Sequence, residues 1–230
     1  MRFVLASASP ARLKTLRAAG VEPEVIVSGV DEEAVTAPSP AELVQALARL
    51  KAAAVATAVA RELSGPALVL GCDSMLEFRG QALGKPRSPD EARDRWRQMR
   101  GHDAVLHTGH ALFVLGDRRP DEVEQDEGGP DEGGPDDAAP DGPSLVRLAS
   151  TEVRFGHPSE DEIEDYIATG EPLSVAGAFT IDGLGGWFVE RIAGDHHNVV
   201  GLSLPLLRSM IRELGYTLRD LPPVTPGREA

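Results

Sequence analysis

The chain is short of several residue types, and each shortage excludes something. It has one cysteine, Cys72, among 230 residues. No disulfide framework can form within the chain, and a reducing, cytoplasmic setting is expected. Aromatic residues make up only 4%, so Ala, Val and Leu are expected to fill the core, with Cys72 as one more small buried hydrophobe. The formal net charge of −14 leaves no broad cationic face for a sequence-independent grip on nucleic acid. No apolar run reads as long enough to span a membrane, and FVLA, followed at once by Arg12 and Lys14, is too short for a secretion signal. There is no GxxxxGK[ST], and no GxGxxG follows the first apolar run. The first absence excludes a P-loop, and the second counts against a dinucleotide-dependent oxidoreductase.

The acid is unevenly spread. Residues 121–143 hold ten Asp or Glu and no Lys or Arg, and without them the net charge falls to −4. Units EGGPD, EGGPD and DAAPD run in succession there. Like charge with Gly and Pro leaves little to bury and much entropy to lose, so 117–144 is expected to be a disordered insertion. Strand-like patterns flank it, which makes it an insertion between two strands and not a domain boundary.

Elsewhere strands alternate with helices, the signature of an α/β or α+β fold. RFVLA, EVIVS, PALVLG and VLHTGHALFVL read as strands. Helices open at Ser-capped starts: SPAR at 9–12, SPAE at 39–42, SPDE at 88–91 and SEDE at 159–162. The helix after Ser39 is expected to run to about Leu63, with Leu43, Leu47, Leu50 and Ala54 on its apolar face and Lys51 beside that stripe. GLSLPLLRSMIREL reads as a final amphipathic helix.

Two stretches carry chemistry. In LASASPAR, a strand enters a tight turn and then a helix, which aims backbone N–H groups at whatever sits in front. Ser7 and Ser9 add hydroxyls, and Arg12 lies in the first turn, where the helix dipole disfavours positive charge. Either Ser9 merely caps and Arg12 reaches into water, or the turn holds an anion. In LVLGCDSMLEFRGQALGKP, Asp73 ends a buried run, near a sheet edge or as a turn-forming cap. A two-residue Arg79-Gly80 turn would set Phe78 opposite Gln81 and Ser74 opposite Lys85, bringing Asp73 and Lys85 into one locality. DEE at 31–33 gains interest only if Glu33 folds toward Asp73, where two carboxylates would hold a divalent cation. His107 and His110 read as structural or surface residues. The adjacent His196 and His197 make a poor metal site.

Together the motifs resemble the Maf family of nucleoside triphosphate pyrophosphatases. The matching stretches are LASASPAR, VDE with Glu33 following, RLKAAAVA, GCDS, LGKP, HTGHAL, AGAF with IDG, and NVVGLSL, in family order. The resemblance implies an α/β, elongated two-lobed Maf/ITPase-like fold around a mixed twisted sheet with flanking helices. Residues 1–220 would form a single domain with two lobes and a central cleft, and 221–230 a loose tail. It implies cleavage of the α–β phosphoanhydride of a nucleotide, with Asp73 as catalytic proton acceptor. Ser7, Ser9, Arg12, Lys51 and Lys85 would bind substrate, and Glu33 with Asp73 would hold Mg²⁺ or Mn²⁺. Ala11, Ser74 and Asp182 occupy positions where the pyrimidine-directed and 7-methyl-GTP-directed branches differ, and they match neither branch throughout. The implied partner is a small-molecule nucleoside triphosphate, with no nucleic acid or membrane, and a homodimer is expected by analogy. The rival expectation is a non-catalytic regulator of septum formation acting through protein partners.

Overall fold

The computed structural model describes residues 1–116 and 144–225. Apart from Ser144, the expected acidic insertion lies outside the described residues, as do residues 226–230 of the expected tail. Leu221, where that tail begins, is buried. The chain after it is tied down by Glu22 N–H to Pro222 O at 2.9 Å and Val224 N–H to Gly20 O at 3.1 Å.

Among the described residues seven strands form one mixed sheet. β1 (Arg2–Ala6) lies between two parallel partners, β2 (Glu24–Val25) and β3 (Ala67–Phe78). Beyond β3 the sheet is antiparallel, continuing through β5 (Asp103–Leu115), β6 (Ser144–Phe155) and β7 (Val189–Ala193). β4 (Gln81–Leu83) folds back on the end of β3. The hairpin has the expected register, Phe78 facing Gln81. Arg79 and Gly80 both take positive φ, 52° and 78°, the mirror-image turn whose twist suits a two-residue connection. The ladder ends at the Leu76–Leu83 pair, so Ser74 and Lys85 do not become cross-strand partners. EVIVS also shortens, to a two-residue strand.

β3, β5 and β6 are 12, 13 and 12 residues long and run through both halves of the molecule. At the end that carries β1, one face packs on α1 (Pro10–Ala18) and α6 (Leu204–Glu213) through Phe3, Leu5, Leu16, Leu70, Leu207 and Ile211. The opposite face packs on α2 (Pro40–Ala60) through Val4, Ala48, Val55, Val69 and Phe113. The other end closes around Trp96 of α3 (Pro89–Met99) and Ile163 and Tyr166 of α4 (Glu160–Ala168), with Phe155 and Phe179. Here the few aromatics gather. Trp96 meets Phe155 and Tyr166 edge-on at 5.4 and 5.8 Å, a favoured quadrupole geometry. The aliphatic core expected from composition therefore describes the end that carries β1 better than the other end.

The serine caps form as the sequence implies. Ser9, Ser39, Ser88 and Ser159 each accept from the amide three residues on. Only Ser159 completes the reciprocal box with Glu162; the Glu42 carboxylate instead takes a hydrogen bond from the Ser39 hydroxyl.

α2 corrects the expected stripe. Val44, Leu47, Ala48, Lys51, Ala52, Val55, Ala56 and Val59 are its buried residues, while Leu50 is 42% exposed. The cause is two glycines on the sheet. A Cβ at Gly71 would lie 2.3 Å from Ala48 O, and one at Gly109 would lie 2.1 Å from Val44 O. The helix backbone therefore rests almost directly on β3 and β5, and small side chains, not leucines, suit that face. At 21 residues α2 is long and apolar enough to cross a membrane, contrary to the reading of the sequence, but its buried stripe packs on the sheet.

Candidate active site

β1 pairs with β3 only as far as Gly71, and β4 rejoins β3 at Leu76. Among the described residues, 72–75 therefore have no strand on that edge. The loop leaving β1 at Ser7 runs past this window before α1 begins at Pro10. Strand alternation sends neighbouring side chains to opposite faces there. Asp73 points to the α2 side and Ser74 to the α1 side, as their partners show.

On the α2 side, the Lys51 ammonium sits 2.6 Å from Asp73 Oδ1 and 2.7 Å from Glu32 Oε1. The close seat of α2 on Gly71 delivers it. Lys51 is one turn past Ala48, and Asp73 is two residues past Gly71 on the same face. The Lys51 and Asp73 side chains are 10% and 8% exposed, that of Glu32 55%. Burial pushes the Asp73 carboxyl above its ordinary value, against the pull of Lys51 and Arg12, and the Glu32 charge adds to the rise. Such an acid is a better proton acceptor near neutrality than an exposed one.

On the α1 side Arg12 is buried, and its partners are all neutral. Nε donates to Gly201 O at 2.7 Å, Nη1 to Ser7 Oγ at 3.0 Å and Nη2 to Ser74 Oγ at 2.9 Å. Gly201 closes α5 (His196–Val200). Among the described residues no carboxylate forms an ion pair with Arg12. A guanidinium carries five N–H donors, so one on each terminal nitrogen is left over. Ser7 Oγ also accepts from Ser9 N–H at 3.2 Å, and Ser9 Oγ caps Arg12 N–H at 3.4 Å. The same face holds His110, whose Nδ1 meets Thr108 O at 3.1 Å while Nε2 accepts from Ser203 N–H at 2.9 Å. Burial lowers its pKa to about 4, so it is neutral. Burial raises the Cys72 thiol to about 12, which makes it inert, as expected.

The structure thus brings Ser7, Ser9, Arg12, Lys51, Asp73 and Ser74 to one window. Ala11 is half-buried in the first turn of α1. Lys85 is exposed in the loop after β4. That loop is joined to the AGA turn by Gly177 N–H to Gly84 O at 3.1 Å, which sets LGKP beside AGAF. Asp182 is exposed, two residues before the turn at Leu184–Phe188. Glu33 is exposed and its N–H bonds Asp31 Oδ1 at 3.1 Å. The acid that reaches Lys51 is its neighbour Glu32, and three consecutive acids gave no sign of which would turn inward. Sequence reasoning also missed Thr108, which is fully buried and joins Ser74 at 2.9 Å.

Two carboxylates converging on one cation are hard oxygen donors of the kind Mg²⁺ takes alongside substrate phosphates. Among the described residues no group of three His, Cys, Asp or Glu could hold a metal, so phosphate and water would have to complete the shell.

A family model described as Maf-like protein matches residues 2–214. A Streptomyces coelicolor protein named nucleoside triphosphate pyrophosphatase is 52% identical over 220 residues, covering 96% of this chain and 94% of its own. Proteins of the same name from Salinispora tropica and Thermosynechococcus vestitus are 52% and 47% identical, covering 96% and 95% of this chain and 87% and 96% of their own. A solved Ham1 protein from Coxiella burnetii aligns at 11% identity over 93% of this chain and 99% of its own, with a TM-score of 0.37, too loose to carry an argument.

Proposed function

The chain belongs to the Maf family, and from that premise we infer that it is a nucleoside triphosphate pyrophosphatase, a hydrolase of phosphoanhydrides like its relatives at about half identity. The reaction it carries out is attack of water on the α-phosphorus, rupture of the α–β bridge, and departure of pyrophosphate with the bridging electron pair. The observation that carries the reading is the convergence of Arg12 and Lys51 on adjacent residues of β3, from opposite faces, at the one stretch where that edge lacks a neighbouring strand.

A nucleoside triphosphate brings about four negative charges, which a chain at −14 repels unless positive groups meet them locally. Arg12 supplies a fixed fork with two N–H groups still to give. Ser7 and Ser9 shape the loop in front of it. Lys51 moves from its carboxylates toward phosphate oxygens, and exposed Lys85 approaches from the loop after β4. Asp73, its carboxyl pushed up by burial, takes the proton of the attacking water. Glu32 and Asp73 would hold Mg²⁺ or Mn²⁺, which supplies charge neutralisation on the phosphates when bound. Phosphoryl transfer is mostly positioning and electrostatics, and these residues provide both. Ala11, Ser74 and Asp182 remain the positions from which to vary base preference.

In this reading residues 1–220 work as one two-lobed domain, and the cytoplasm is the setting. The test is a panel of common and modified nucleoside triphosphates with Mg²⁺ or Mn²⁺, scored for both phosphate products. Nucleoside monophosphate and pyrophosphate are expected. Orthophosphate alone would mean terminal cleavage and a different reaction.

A further inference from the structure

We propose that Thr108 is a positioning residue that fixes the Arg12 guanidinium through a one-way chain of hydroxyls; this rests on the reading of Arg12 as a phosphate ligand. Thr108 sits in β5 directly across from Ser74. Its Oγ1 donates to the backbone carbonyl of Asn198 at 3.1 Å. A hydroxyl has one hydrogen. Toward Ser74 Oγ, 2.9 Å away, Thr108 can therefore only accept. Ser74 spends its own hydrogen on Thr108 and offers Arg12 Nη2 a lone pair at 2.9 Å. The direction is fixed from end to end: guanidinium to Ser74, Ser74 to Thr108, Thr108 to the Asn198 carbonyl.

The far end of the chain is anchored. Asn198 is fully buried, and its amide donates to Leu106 O at 3.1 Å and Thr151 Oγ1 at 3.0 Å. α5 therefore holds Arg12 twice, directly through Gly201 O and indirectly through Asn198 O. Ser74 acts as an acceptor here. It cannot turn its hydrogen to an incoming phosphate without breaking the chain. The two remaining guanidinium N–H groups are thus aimed before any ligand arrives, and an ordered fork binds an oxyanion with less entropy to lose.

The variants are Thr108→Val, which keeps the shape and removes the hydroxyl, and Thr108→Ser, which restores it. With pyrophosphate release as readout, Thr108→Val is expected to raise KM about tenfold and change kcat by less than about threefold. Thr108→Ser should return KM to within about twofold of wild type. In an Arg12→Ala background, Thr108→Val should add no more than about twofold, because its effect passes through Arg12. An unchanged KM in Thr108→Val, or an equal penalty with and without Arg12, overturns the proposal. If Thr108→Val does not fold by circular dichroism, Ser74→Ala cuts the same chain from its half-exposed end and is judged by the same criteria. Calorimetric titration with inorganic tripolyphosphate repeats the comparison without turnover. A wild type that binds tripolyphosphate but releases no pyrophosphate indicts the reaction. Unchanged tripolyphosphate binding in Thr108→Val indicts the hydroxyl chain.

Discussion

Arg12 and Lys51 are both buried cations beside the same strand, but their charges are met in opposite ways. Lys51 touches two carboxylates, Glu32 and Asp73. Arg12 touches a carbonyl and two hydroxyls. Lys51 is already neutralised, and an incoming anion must compete for it. Arg12 keeps its full charge in a place of reduced screening, held by neighbours that orient it without cancelling it. A buried charge with no carboxylate bonded to it directly is costly, and on the proposed reading a polyanion is the guest that relieves it. The two sides of β3 thus differ: one holds a cation among neutral acceptors, the other keeps acid and base together.

That contrast can be broken by experiment, and the largest effect is expected at Asp73. Asp73→Asn should lower kcat about 10²- to 10⁴-fold, the range of a positioned proton acceptor, with the thermal midpoint nearly held. Pyrophosphate release at saturating nucleotide measures it, and full turnover would remove the catalytic role from the α2 side. Next comes Arg12. Arg12→Ala should raise KM for nucleoside triphosphate about 100-fold, since charge-assisted contacts are lost. Arg12→Lys should recover little of it, because an ammonium cannot satisfy Gly201, Ser7 and Ser74 and still present a fork. Full recovery by lysine would reduce Arg12 to a point charge and erase the difference from Lys51.

His110 sharpens the comparison from the stability side. Its folded pKa lies at about 4 against an unfolded 6.5. The unfolded chain therefore takes up the proton first as pH falls. The stabilisation is fully present above pH 6.5 and is lost as pH drops toward 4. At about 1.4 kcal/mol per unit this amounts to roughly 3 kcal/mol. Protonation would set a hydrogen on Nε2 against the Ser203 N–H that it accepts from. Urea unfolding between pH 7 and 4 should show a steeper loss for wild type than for His110→Asn, and equal slopes would mean that the Arg12 side tolerates a second charge. The smallest effect separates two neighbouring acids. Glu32→Gln should raise the Mg²⁺ concentration for half-maximal rate by about 3- to 10-fold, a lost charged contact at a half-exposed site. Glu33→Gln should leave it unchanged. The reverse ranking would restore Glu33 as the acid of the α2 side.

The serine caps were legible because each depends on residues a few positions apart. So was the Arg79-Gly80 hairpin, whose register follows from its turn. The apolar stripe of α2 was not legible. Leucine spacing is a local signal, but the helix face was chosen by Gly71 and Gly109, distant in sequence, where only a bare backbone lets the helix settle. Leucine spacing sets Lys51 beside the stripe, whereas the packed helix places it within the buried face. Which of the three acids at 31–33 meets Lys51 was not legible either, because an acidic turn has no period from which to read an inward direction.

By itself the sequence determined the elements, the ordered family motifs and the residue types that reach the site, because capping, turn geometry and short motifs act over a few residues. Only the tertiary structure decided which cation meets carboxylates and which meets neutral acceptors. That choice rests on which face of β3 each residue occupies and on what is packed there, and sequence separation carries no record of either.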